Sequence, residues 1–331
     1  MDQRLESLRK WLAVRVGGNI GDIRPASADA SFRRYFRVTV PHGTYIAMDA
    51  PPDKEDIGPF VTVAQRFGAL GLNVPKVLES DSEHGFALLG DLGDRTYLRH
   101  LNADSVERLY GDALGALLVL QAGVYTDSSF LPEYDETLLR AELELFREWF
   151  LGRHLSLHLT SAQSRHIDEA FDRLVDSAQA QPRVWVHRDY HSRNLMVTDA
   201  NNPGILDFQD AVMGPVTYDL VSLLRDCYIR WPLEQVRSWV RGYHEMGMES
   251  GLPVGDSEAQ FQEWFDLMGV QRHLKAIGIF SRLNHRDGKP GYLDDIPRTL
   301  AYVFAVADAR EDLEPFAAVL DELDVRARAL A

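Results

Sequence analysis

His187-Arg188-Asp189-Tyr190-His191-Ser192-Arg193-Asn194 is a polar run between two short apolar stretches, Val184-Trp185-Val186 before it and Leu195-Met196-Val197 after it. Ile205-Leu206 follows across a turn containing Asp199, Asn201, Pro203 and Gly204, and Asp207-Phe208 closes the segment. Brief β-prone stretches bounded by turn formers predict strands, and helical periodicity fails from 184 to 208. Around this interruption the apolar spacing predicts helices over 104–123, 135–155, 162–179, 217–229, 233–247, 258–284, 293–308 and 311–328.

Nearer the start the period is different. Leu5, Leu8, Leu12 and Val16 predict a helix over 3–16 that stops at Gly17-Gly18. Residues 34–40 and 44–49 are β-branched and aromatic, with Pro41-His42-Gly43 as a hairpin turn between them. A helix over 56–70 follows, then strands at 77–79 and 86–89. Strands joined by short turns imply an antiparallel sheet with one helix packed on it. The expected class is α+β, with a small sheet lobe over residues 1–90 and a larger, mainly helical lobe over 91–331.

The 331 residues carry 35 basic and 50 acidic side chains, a formal charge of −15. That balance argues against a nucleic acid or an anionic membrane as partner, since both need clustered cations. A small anionic ligand held by a local arginine cluster stays open. Cys227 is the only cysteine, which rules out an internal disulfide and suits a reducing cytoplasm. Residues 1–15 are charged every few positions and read as an amphipathic helix without a signal peptide's apolar stretch, and no stretch has the length and hydropathy of a membrane span.

Within the interrupted segment, Asp189, Asn194 and Asp207 bear the chemistry. Each alone would be an ordinary turn former. Together they supply what phosphoryl transfer asks of a protein: a carboxylate beside the acceptor hydroxyl, and an amide and a second carboxylate as oxygen ligands for Mg2+. The protein-kinase pattern has the same Asp-to-Asn spacing in its catalytic loop and the same Asp-Phe pair at its metal.

On these residues the chain resembles the aminoglycoside phosphotransferase and choline kinase superfamily, small-molecule kinases with a bilobal protein-kinase-like fold, and the likeness covers nearly the whole chain. Ala30-Ser31-Phe32-Arg33-Arg34-Tyr35-Phe36-Arg37, Ala47-Met48-Asp49-Ala50-Pro51-Pro52 and the run from Gln271-Arg272-His273-Leu274-Lys275 to Arg282 resemble, more narrowly, bacterial sugar 1-kinases acting on N-acetylmuramate and N-acetylglucosamine. The resemblance implies ATP and Mg2+ as cofactors, Asp189 as catalytic base, Asn194 and Asp207 as metal ligands, and Gly90, Asp91 and Leu92 as the hinge that meets adenine. Asp219 matches an aspartate typical of these kinases, although a helix N-cap is its plainer reading.

The pattern is broken in three places. Residues 26–33 (Ala-Ser-Ala-Asp-Ala-Ser-Phe-Arg) stand where a glycine-rich loop belongs, leaving Ser31 and backbone N–H groups to cover the phosphates. Met48 or Asp49 occupies the place of the phosphate-pairing lysine, so Arg33 or Arg34 is expected to supply that charge. Gln209 replaces the glycine after Asp-Phe, which suggests a fixed metal loop. Two decoys are set aside. Gly17-Gly18-Asn19-Ile20-Gly21 lacks dinucleotide-loop spacing. His187 and His191 have zinc-helix spacing in a loop, with Arg188 where glutamate would be required; His187 is better read as a buried brace of the loop.

For the acceptor, Arg272, Lys275 and Trp231 are the named candidates: an aromatic face to stack on a sugar ring, and cations to meet an acid group. Helical spacing of Arg272, Lys275 and Arg282 is equally that of a solvated helix face. Three functions follow: a sugar 1-kinase, a kinase of a cationic acceptor such as choline or an aminoglycoside, or a binding module that lost catalysis with its lysine.

Overall fold

The computed structural model describes residues 2–17, 20–27 and 32–329. Gly18, Asn19 and residues 28–31, half of the expected phosphate loop and Ser31 among them, lie outside the described residues. Two compact units emerge: Met1–Ala116 with Arg193–Asp210, and Leu117–Ser192 with Ala211–Ala331. The expected division is at residue 90; by contacts, residues 91–116 and the 193–210 segment pack with the first unit.

The first unit holds a five-stranded antiparallel sheet of order β1-β2-β3-β5-β4, formed by β1 (Asp22–Ser27), β2 (Arg34–Val40), β3 (Gly43–Asp49), β4 (Val77–Asp81) and β5 (Phe86–Gly90). β2 and β3 pair from Arg34↔Asp49 to Val40↔Gly43 around the Pro41-His42 turn. β1 is not legible in the sequence. It carries Pro25 and a register shift beside it, features that an edge strand tolerates and that erase the alternating pattern.

The helix Gln3–Arg15 lays Leu8, Trp11 and Leu12 on Phe36, Val38, Ala47, Phe86 and Leu88. Each fully buried apolar side chain contributes about 1.5–3 kcal/mol, so this face anchors the helix firmly. The helix Gly58–Ala69 buries Phe60, Val63, Ala64 and Phe67, and Phe60 and Phe67 meet the ring of Phe208 at 5.0 and 5.9 Å. The Asp-Phe pair is thereby fastened to a helix of its own unit. The strands β7 (Leu195–Met196) and β8 (Gly204–Ile205) form a hairpin in the same unit.

In the second unit β6 (Arg183–Val186) pairs with β9 (Val212–Pro215), the latter unmarked in the sequence. The 30-residue helix Glu258–Asp287 runs through the unit with 16 of its residues buried. The expected helix over 135–155 changes character midway: Glu136–Leu145 is α-helical, and Phe146–His154 widens to bonds that skip five residues, such as Leu155 N–H to Phe150 C=O at 2.9 Å. Gly278 of the long helix sits at the change, where a Cβ would lie 2.4 Å from the Leu145 carbonyl carbon. The expected helix 217–229 ends at Leu224, and 311–328 divides into Glu314–Glu322 and Val325–Arg328.

His273 is 1% exposed, stacked on Tyr302 at 4.9 Å, with Nε2 2.8 Å from the Arg225 carbonyl. Burial pushes its pKa down to about 3. An unfolded chain protonates this imidazole near pH 6.5 and the folded chain does not, so stability falls as pH drops below 6.5. Between pH 7 and pH 5 the loss is about 2 kcal/mol. Urea unfolding at the two pH values is expected to show it, and His273→Gln to remove that share of the difference.

Candidate active site

Arg188 and Asp207 both have left-handed backbones, φ 76° and 63°, a conformation that side chains other than glycine adopt at a cost of about 1–3 kcal/mol. Specific bonds hold each in place. At Arg188, the buried Asp219 carboxylate accepts the His187 amide at 2.6 Å and the Arg188 amide at 2.9 Å. Burial pushes the Asp219 pKa up to about 7, while those two amides and Arg272 pull against it. The N-cap reading of Asp219 is therefore corrected: it lies in the first turn of Tyr218–Leu224, but its oxygens brace the loop before Asp189. His187 is buried as expected, and its Nδ1 accepts the Asp189 amide at 3.2 Å.

Asp189 is half-buried. Burial opposes its charge, but Lys275, His191, Arg272 and Arg188 outweigh that and hold its carboxyl below the usual range. It is thus ionised at neutral pH and ready to accept a proton. The chain passes from the second unit to the first between Ser192 and Arg193, so Asp189 belongs to one unit and Asn194 and Asp207 to the other.

In the first unit the Asn194 amide Nδ2 is 3.3 Å from Asp207 Oδ2, and the Leu206 amide donates to the Asn194 carbonyl at 2.9 Å. Gln209, in the expected glycine's place, donates to Asp207 Oδ1 at 2.9 Å and fixes that carboxylate. Among the described residues no group of three or more His, Cys, Asp or Glu could hold a metal. One carboxylate beside one amide oxygen is instead a donor set for a hard cation completed by phosphate oxygens and water, which fits Mg2+.

Asp49, fully buried at the end of β3, receives both Arg34 and Arg4, with Arg34 Nε at 3.0 Å and Arg4 Nε at 2.9 Å. Arg34 also bonds Asp2, so its charge is already matched twice; Arg33, its neighbour in the chain, is half-buried. The hinge candidates are fixed too: the Gly90 amide donates to Lys76 C=O at 2.9 Å, and Asp91 takes Arg37 at 2.7 and 2.9 Å. Asp91 and Leu92 line a 380 Å³ cleft that Arg95, Val197 and Thr198 share.

Arg272 and Lys275 do not lie on a solvated face; both are buried. Lys275 Nζ is 2.9 Å from Glu142 Oε1 and 3.0 Å from the Tyr218 hydroxyl. Glu142 also accepts from Arg188, 2.5 Å away, and from Tyr134. Arg272 is 5% exposed, with its Nη1 3.7 Å from Cys227 Sγ. Trp231 is half-buried against Trp239 at 6.0 Å. Glu142 was not singled out from sequence, though the signal is there: it shares an apolar stripe with Leu139, Leu143 and Phe146. Glu142→Ala would take a shared carboxylate from the buried Lys275 and the half-buried Arg188 and is expected to cost about 3–5 kcal/mol, read as a lower urea midpoint.

The fold is shared with small-molecule kinases. The ADP-bound aminoglycoside phosphotransferase APH(2'')-Ib matches 89% of this chain and 97% of its own at TM-score 0.56 and 16% identity. The choline kinase LicA from Streptococcus pneumoniae matches 90% and 99% at TM-score 0.59 and 12% identity. These likenesses establish an α+β, protein-kinase-like fold. The chain belongs to the phosphotransferase enzyme family, whose model matches residues 22–255, and it is an enzyme of that class. It is also 46% identical to the N-acetylmuramate/N-acetylglucosamine kinase of Pseudomonas putida strain KT2440 over 99% of both chains.

Proposed function

We propose that this phosphotransferase uses ATP and Mg2+ to phosphorylate the anomeric hydroxyl of N-acetylmuramate, N-acetylglucosamine or both, giving the sugar 1-phosphate. The observation that carries the chemistry is the pairing of the Asn194 amide with the Asp207 carboxylate, Nδ2 to Oδ2 at 3.3 Å, at the end of a hairpin that follows Asp189 in the chain. Full-length likeness to the Pseudomonas putida kinase supports the acceptor, and the ADP-bound relative supports the nucleotide.

In this reading residues 1–90 hold the nucleotide and 91–331 carry the catalytic loop and acceptor site. Asp189 orients the sugar hydroxyl and takes its proton as the oxygen bonds to the γ-phosphorus of ATP and the bond from that phosphorus to ADP breaks, releasing ADP. Asn194 and Asp207 would hold the metal, whose charge would offset the negative charge that develops on the phosphates. Ser31 with Arg33 or Arg34 would meet the phosphates, while Gly90, Asp91 and Leu92 meet the base. Lys275 and Arg272 keep the Asp189 carboxylate charged, and Trp231 borders the acceptor. The reaction belongs in the cytoplasm, where ATP is made, and would return amino sugars released from the cell wall to metabolism. Among the described residues no helix is long and apolar enough to cross a membrane.

The test is ADP release with ATP and Mg2+ against N-acetylated amino sugars, choline and aminoglycosides. An acid-labile sugar phosphate formed only with the amino sugars is expected. ADP release with choline or an aminoglycoside alone would transfer the reading to a cationic acceptor, and none with any acceptor would end it.

A further inference from the structure

The segment that follows the helix Tyr218–Leu224 is fastened at successive residues. The Arg225 carbonyl is bound by His273 at 2.8 Å and the Cys227 carbonyl accepts from Arg298 at 2.7 Å. Asp226, 1% exposed, spends one oxygen on the Ser192 amide at 2.9 Å and the other on the Tyr228 amide at 2.8 Å. One carboxylate thus ties the catalytic loop to the residue that bears Tyr228.

The Tyr228 ring stands edge-on to His191 at 5.2 Å and 79°, two residues beyond Asp189. Phe280 continues the wall at 6.3 Å, and Tyr292 stacks on Phe280 at 5.6 Å. Tyr228 and Tyr292 are half-buried, Phe280 buried. A pyranose presents a flat face of C–H groups and a polar rim, and a rigid aromatic plane next to a base matches both its shape and its polarity.

We propose that Tyr228 is the platform on which the acceptor sugar ring rests, and that Asp226 is the positioning residue that fixes this platform to the catalytic loop. The proposal rests on the sugar-kinase reading. It accounts for a carboxylate divided between two amides: the sugar is held at a set distance from Asp189 because its support and the base hang from the same side chain. Such preorganisation is what transfer to one particular hydroxyl requires.

Steady-state kinetics with ATP and N-acetylglucosamine or N-acetylmuramate test it. Tyr228→Phe, which keeps the ring, is expected to hold the acceptor KM within about threefold, and Tyr228→Leu, apolar but not flat, to raise it about tenfold. The KM for ATP moves less than about twofold in both, a split that simple loss of packing would not produce. Asp226→Ala raises the acceptor KM and lowers kcat, and Asp226→Asn, with one acceptor oxygen left, does so less. In the unmodified protein, irradiating aromatic resonances transfers saturation to the sugar's ring protons. An acceptor KM unchanged in Tyr228→Leu, or no saturation transfer, overturns the proposal while the kinase reading stands. If the unmodified protein phosphorylates no amino sugar, both readings fall.

Discussion

Asp189→Ala is expected to lower kcat by about a thousandfold, the scale at which a positioned base contributes to proton transfer, with nucleotide affinity nearly intact. The expectation follows from what surrounds the carboxylate. Burial disfavours its charge, and Lys275, His191, Arg272 and Arg188 reverse that, so it is ionised well below neutral pH. In the wild type, the acid limb of kcat/KM due to Asp189 therefore lies below the usual carboxylate range, and the profile stays level between pH 5 and pH 7 as far as this residue decides it. Asp189→Asn keeps size and polarity but cannot take the proton, and should lose as much. The measurement is single-turnover ADP formation together with ATP binding by titration calorimetry. Nucleotide affinity lost along with turnover would remove Asp189 from the role of base.

Asp207→Ala is expected to fail in a different way. Turnover falls by at least as much, and the Mg2+-dependent part of nucleotide affinity goes with it, because the only carboxylate of the donor pair is gone. The Asn194 amide then loses its neighbour at 3.3 Å, and Gln209 its acceptor at 2.9 Å. Fluorescence titration with an ATP analogue, with and without Mg2+, separates the two variants. The Mg2+ effect persists in Asp189→Ala and vanishes in Asp207→Ala. A Mg2+ effect of wild-type size in Asp207→Ala would place the metal elsewhere.

The two variants act on residues that the sequence displays openly. Asp189, Asn194 and Asp207 lie within nineteen positions, and the strands and turns that present them are local. Short apolar stretches and turn formers are enough to write them out. The helices were legible for a similar reason, since Gly58–Ala69 or Glu258–Asp287 repeats its apolar residues at a period that any helix must have. The elements that escaped are those whose pairing is not local. β1 breaks its alternation with Pro25 and is a strand because β2 lies beside it. β9 pairs with β6 across more than twenty residues.

Side-chain partners were hidden still more completely. Asp219 has the sequence position of a cap and is a brace for amides 31 and 32 residues away. Arg34 reads as a candidate cation for the phosphates and is committed to Asp49 and Asp2. Arg272 and Lys275 have the spacing of a wet helix face, yet their helix is surrounded, and Lys275 meets Glu142 from 133 positions earlier.

The sequence by itself determined the class of fold and marked the candidate catalytic loop, because periodicity, turn chemistry and the spacing of three polar residues are properties of neighbouring positions. Only the tertiary structure decided which charges are already matched and which side chains hold the loop, Asp219, Asp226 and Glu142 among them. Charge pairing and burial depend on distance in space, and a linear order of residues does not contain that distance.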